Sequence, residues 1–87
     1  MSKQVPTSFT TVDEIMRRPT FALGVSDARA GRPVRRDYDL WDIDDQWDYE
    51  RGRQWATIAP RNIPLKHNGR INPDAVAWFR RHGDDII

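Results

Sequence analysis

The 87-residue chain predicts a mainly α fold: an αα-hairpin core, an additional C-terminal helix, and a short β-hairpin near residues 63–71. Apolar residues recur at spacings of three and four in the stretches that would form the two hairpin helices and the last helix. Gly and Pro fall just outside those stretches, where helices stop and start. Asn68-Gly69 supplies the strongest turn signal in the chain. At 10.2 kDa the chain holds a single small domain. Residues 1–10, with Pro6 and no hydrophobic period, read as a flexible N-terminal arm, and residues 11–87 as the helical domain.

Thr11-Val12-Asp13-Glu14 fits a capping box and predicts a short helical turn that carries Val12, Ile15 and Met16 inward. Pro19 ends that turn or opens the next helix at its first position. Phe21, Val25 and Ala28 form a helical stripe, with Gly31 and Pro33 to stop it, so a helix is expected over Pro19–Ala30. Arg32–Asp42 reads as an irregular linker. A second main helix should then run from about Asp45 to Ala59, capped by Asp42, Asp44 or Asp45 and ended by Pro60. On a helical wheel Tyr49, Gly52, Trp55, Ala56 and Ala59 share one face, while Trp47 and Ile58 lie on another, which predicts burial on two sides. Gly24 and Ala28 on one helix, and Gly52 and Ala56 on the other, leave flat strips where two backbones can cross closely.

Beyond Pro60, Ile63 and Leu65 alternate like a short strand around Pro64, ahead of the Asn68-Gly69 turn. Asn72 as N-cap, Pro73 at the first position and Ile71 stapling onto Val76 open the last helix. It points Val76 and Phe79 inward, places Arg80 and Arg81 in its last turn and ends at Gly83.

The charge is segregated along the chain. Residues 37–50 hold Asp37, Asp39, Asp42, Asp44, Asp45, Asp48 and Glu50 with no base at all, within a chain of net charge +1. Lys3 and Lys66 are the only lysines among 14 Lys and Arg residues. Two arrangements are compatible with this pattern. The acids neutralise flanking arginines in a lattice of weak surface pairs, or the two signs occupy separate surfaces that meet complementary partners. Without cysteine, disulfides and thiolate metal or redox sites are excluded. No apolar run approaches the roughly 20 residues of a membrane span, and Met1–Pro6 has no apolar stretch of signal-peptide type. A cytoplasmic protein without membrane contact is the expectation.

Phe21-x-x-Gly24-x-x-x-Ala28-x-Ala30-Gly31-Arg32-Pro33, followed by Gln46-Trp47-x-x-x-x-Gly52-x-x-Trp55-Ala56, resembles ribosome modulation factor and its relatives across residues 20–59. The resemblance implies an αα-hairpin that binds ribosomal RNA and proteins and holds ribosomes inactive. The chain departs from that pattern in its acidic linker, because phosphate neutralisation calls for positive charge there. It also carries an extension from Arg61 that short family members lack.

Catalytic and metal motifs do not assemble in the sequence. From Asp37 the sixth residue is Asp42 and the twelfth Asp48, where a calcium loop needs Gly and Glu. His67 and His82 lack partners at zinc spacing, and Ser8 and Ser26 lack a nucleophile-elbow context. No cofactor, metal or catalytic residue is expected. Trp55 and Phe79 read as core. The first expectation is therefore a non-enzymatic small binding protein that regulates or inhibits a larger macromolecular assembly. Its acidic-aromatic face would comprise Asp39, Trp41, Asp44, Asp45, Trp47 and Asp48 and dock on a basic protein surface. The alternative is a ribosome- or RNA-binding modulation factor using Arg29, Arg32, Arg35, Arg36, Arg51 and Arg53.

Overall fold

The computed structural model describes residues 11–83. The expected N-terminal arm and the acidic tail from Asp84 lie outside the described residues. Four helices, α1 (Val12–Arg17), α2 (Pro19–Arg29), α3 (Ile43–Ile58) and α4 (Pro73–His82), are joined by loops and one antiparallel hairpin of β1 (Lys66–His67) and β2 (Arg70–Ile71). A single 3-10 turn, Tyr38–Leu40, interrupts the linker between α2 and α3. The fold is thus mainly helical, with the C-terminal helix and short hairpin that the sequence predicts.

The helix ends follow local chemistry. Thr11 Oγ1 accepts the Glu14 backbone N–H at 3.2 Å and satisfies one of the free donors at the start of α1. Asn72 does the same for α4, accepting from Asp74 N at 3.1 Å, while its amide donates to Pro64 O at 2.8 Å and anchors the preceding loop. At the end of α2 the Gly31 N–H reaches Ala28 O and the Arg32 N–H reaches Asp27 O at 2.8 Å. These two bonds form a Schellman ending, and Gly31 supplies the positive φ of 72° that it requires. Asn68 and Gly69, both at positive φ, make the tight turn between β1 and β2.

Two boundaries and one burial pattern differ from expectation. α3 begins at Ile43, two residues before Asp45, with Asp42 as N-cap but no side-chain cap bond. Ile63 and Leu65 are not in a strand; the pairing is confined to Lys66 with Ile71 and His67 with Arg70. Pro64 has no N–H to give a ladder, so the strand starts only beyond it. The second apolar side of α3 is also not closed: Trp47 is half-buried and Ile58 is exposed.

α2 and α3 make the most extensive contact in the molecule and cross at two glycines. A Cβ on Gly24 would overlap the Tyr49 carbonyl oxygen and lie 3.0 Å from Arg53 N. A Cβ on Gly52 would overlap the Phe21 carbonyl oxygen and lie 3.2 Å from Phe21 Cα. Each glycine therefore faces the backbone of the other helix, and the close crossing is reciprocal. Around it Met16, Phe21, Val25, Trp55, Ala56, Ala59, Leu65, Ala75, Val76 and Phe79 form one core, so α1, the loop and α4 cover the same side of the α2–α3 pair. Phe21 lies at its centre, with ring centroids 6.4 Å from Trp55 and 6.1 Å from Phe79.

Candidate docking surface

The linker from Gly31 to Asp42 is held by a buried carboxylate. Asp27 sits on the α2 stripe one turn after Gly24 and is fully buried. Arg32 Nε donates to its Oδ1 at 2.9 Å, Arg35 Nε to its Oδ2 at 2.9 Å, and the Tyr49 hydroxyl to Oδ2 at 2.7 Å. Both guanidiniums remain about half-exposed, so the cluster lies just beneath the surface. The hydrogen bond from Arg35, helped by Arg32 and Tyr49, outweighs desolvation and holds the Asp27 carboxyl well below the usual carboxylate range. Burial and the bond to Asp27 push the Tyr49 phenol up. The Schellman ending turns Arg32 back toward Asp27, so local backbone geometry and the ion pair reinforce each other.

Beyond this anchor the 3-10 turn sorts the linker side chains. With three residues per turn, positions three apart eclipse, so Tyr38 and Trp41 point the same way. Both fold onto Tyr49 of α3, with centroids 5.9 and 5.1 Å away, the Trp41 contact being edge-on. The Tyr38 hydroxyl donates to Glu50, and Gln46 Nε2 donates to Tyr38 O at 2.9 Å. Asp39 and Leu40 are left facing outward, and Leu40 is 86% exposed. Ile43 in the first turn of α3 is 42% exposed. Asp37, Asp39, Asp42 and Asp44 around them are exposed, and none forms an ion pair among the described residues. The first-turn acids also complement the α3 dipole.

The acidic-aromatic residues expected from sequence therefore divide. Asp39 and Asp44 are on the surface, and Asp45 is half-buried and accepts the Thr20 hydroxyl at 3.5 Å. Trp41 is half-buried against Tyr49, and Trp47 is half-buried with the Arg51 guanidinium 5.1 Å from its ring centre. Asp48 does not belong to the outward face. It is 2% exposed, with Arg18 Nη1 at 3.1 Å and Arg51 Nη1 at 3.6 Å. The reason is position: Asp48 is next to Tyr49 on the side of α3 that packs toward the start of α2. Burial pushes its carboxyl up against the pull of Arg18 and Arg51.

The six candidate arginines are also dispersed. Arg32 and Arg35 bind Asp27, Arg51 binds Asp48, and Arg53 Nη1 donates to the Tyr49 hydroxyl at 3.4 Å. Arg29 lies over the Trp55 ring at 4.7 Å and donates to Pro60 O at 3.4 Å, its guanidinium pushed down by burial and by nearby Arg61. Arg36 alone of this set is both exposed and without a partner among the described residues. Sequence reasoning missed Leu40, Ile43 and Asp27. Asp27 had a legible signal: an acid beside the Gly24–Ala28 stripe, followed five and eight residues later by Arg32 and Arg35. No helix among the described residues is long and apolar enough to cross a membrane. No protein-family model, curated protein or solved structure matches this chain.

Proposed function

We propose that the protein is a non-enzymatic binding module that regulates a larger assembly by docking Leu40 and Ile43, framed by Asp39, Asp42 and Asp44, onto a basic protein surface. The observation that carries this reading is the exposure of Leu40 between two aromatic neighbours that are folded inward. A leucine held out on a constrained turn has already lost part of the freedom that docking would cost it. Removing it from water on a partner contributes about 1.5–3 kcal/mol. The surrounding carboxylates favour a Lys- or Arg-rich partner and speed encounter with it, while repelling acidic surfaces. Most of the arginines that would serve an RNA-binding face are engaged within the chain, which disfavours that reading.

The test is affinity capture from host lysate with and without nuclease treatment, comparing the wild-type chain with Leu40→Asp and with Asp42→Lys/Asp44→Lys. Capture of a basic protein by the wild type and its loss in both variants is the expected result. Capture that disappears on nuclease treatment and survives both substitutions would replace this reading with the RNA-binding one.

A further inference from the structure

A second surface carries the opposite sign. α1, the β-hairpin and α4 enclose a trough of two adjoining cavities, about 370 and 450 Å³, that share Arg17, Arg70 and Ile71. Its apolar lining comes from Ile71, Pro73, Val76 and Ala77. Arg17, Lys66 and Arg70 stand around it, exposed and without an ion pair among the described residues. The remaining charged groups, Arg80 and Asp13, bind each other at 2.8 Å and cancel. Three uncompensated cations over aliphatic side chains ask for a ligand that combines carboxylates with an aliphatic group. Among the described residues no aromatic ring lines the trough, so they offer no platform on which single-stranded bases would stack.

That ligand chemistry is presented by the chain itself. The segment Asp39–Asp44 exposes Leu40 and Ile43 among three carboxylates that form no ion pair among the described residues, and it shares no residue with the trough. We propose that the trough of one copy receives the Asp39–Asp44 segment of a second copy, Leu40 or Ile43 against Ile71 and Val76 and the carboxylates against Arg17, Lys66 and Arg70. This inference rests on the outward presentation of Asp39–Asp44 argued above and adds a regulation to it. The contact is heterologous, so copies join head to tail into a ring or an open chain. A segment held in a neighbour's trough is hidden from a basic partner, and association among copies therefore competes with docking.

Sedimentation velocity of the full chain over a range of concentrations and salt tests it. The expected result is a mass that rises with concentration at low salt and returns to the monomer as ionic strength approaches about 1 M, where the screening length is about 3 Å. Arg17→Glu/Arg70→Glu and, separately, Leu40→Asp should each weaken association by about tenfold or more, a loss of about 1.4 kcal/mol at least. Lys66→Glu is a second trough variant that leaves α1 untouched. An equimolar mixture of the trough double variant and Leu40→Asp should form a one-to-one pair that grows no further, since each supplies one intact surface.

A wild-type chain that stays monomeric at every concentration overturns the proposal, as does association undiminished in both trough variants. A monomeric wild type whose trough variants lose RNA binding also overturns it and assigns the trough to nucleic acid. If the wild type is monomeric but its capture of a basic protein still depends on Leu40, this inference fails while the docking function stands. Association that needs Leu40 without any captured basic partner gives the converse.

Discussion

Asp27 and Asp48 are both buried acids paired with two arginines, yet they act on stability with opposite signs. The Asp27 carboxyl is held low by its hydrogen bonds, so the folded chain prefers it ionised. Its contribution is complete above the unfolded carboxylate value of about 3.9 and drains away as pH falls below it. The Asp48 carboxyl is pushed up by burial, so protonation favours the fold and its ionised form weakens it. Asp27→Asn should cost roughly 1–3 kcal/mol at neutral pH, toward the lower end because Arg32 and Arg35 keep access to water. Urea titration followed by circular dichroism would show this, together with a flatter loss of stability on acidification. Asp48→Asn should cost less than Asp27→Asn at neutral pH. A larger cost at Asp48 would mean that its ion pairs outweigh its desolvation.

Among the elements, the α2–α3 crossing sets the geometry of everything else. Gly→Ala inside a helix ordinarily gains about 1 kcal/mol. At Gly24 or Gly52 the added methyl meets backbone of the opposing helix, which cannot rotate away as a side chain can. Either substitution should therefore lose at least about 3 kcal/mol or prevent folding, read as a fall in the urea midpoint. Gly69→Ala makes the contrast: its φ is +76° and nothing lies near the added carbon, so only left-handed backbone strain of about 1–2 kcal/mol applies. Equal losses at Gly52 and Gly69 would show that the crossing tolerates separation. The 3-10 turn matters in the same way for the surface, since its threefold period turns Tyr38 and Trp41 inward and leaves Leu40 out.

For the molecule as a whole, the distribution of charge decides between internal neutralisation and outward display, and both occur. Asp27 and Asp48 are neutralised at home by Arg18, Arg32, Arg35 and Arg51. Asp37, Asp39, Asp42 and Asp44 are displayed, and so are the cations of the trough. Exposed charges without partners contribute little to stability, usually within about 0.5 kcal/mol either way. The variant Asp39→Asn/Asp42→Asn/Asp44→Asn should accordingly melt within a few degrees of wild type while losing capture of a basic protein. A large drop in melting temperature would instead assign these acids to the fold, through the α3 dipole. The exposed pair of Arg80 with Asp13 belongs with the weak surface pairs, and its removal should change the melting temperature little.

The four helices and the hairpin turn were legible because their signals are local, whereas the 3-10 turn read only as an irregular linker. Thr11 and Asn72 cap the next turn of their own backbone, Gly31 and Asn68-Gly69 adopt the conformations those residues favour, and Phe21, Val25, Trp55 and Phe79 follow helical spacing. Even the glycine crossing could be read, because small residues four apart leave the same flat strip wherever the helices meet. Tertiary structure alone decided which charges face water. Asp48 and Asp44 lie one helical turn apart on α3, yet one is enclosed by Arg18 from before α2 and the other stands in solvent. Burial of an acid depends on which distant element packs over its side of the helix, and that pairing is a property of the assembled chain.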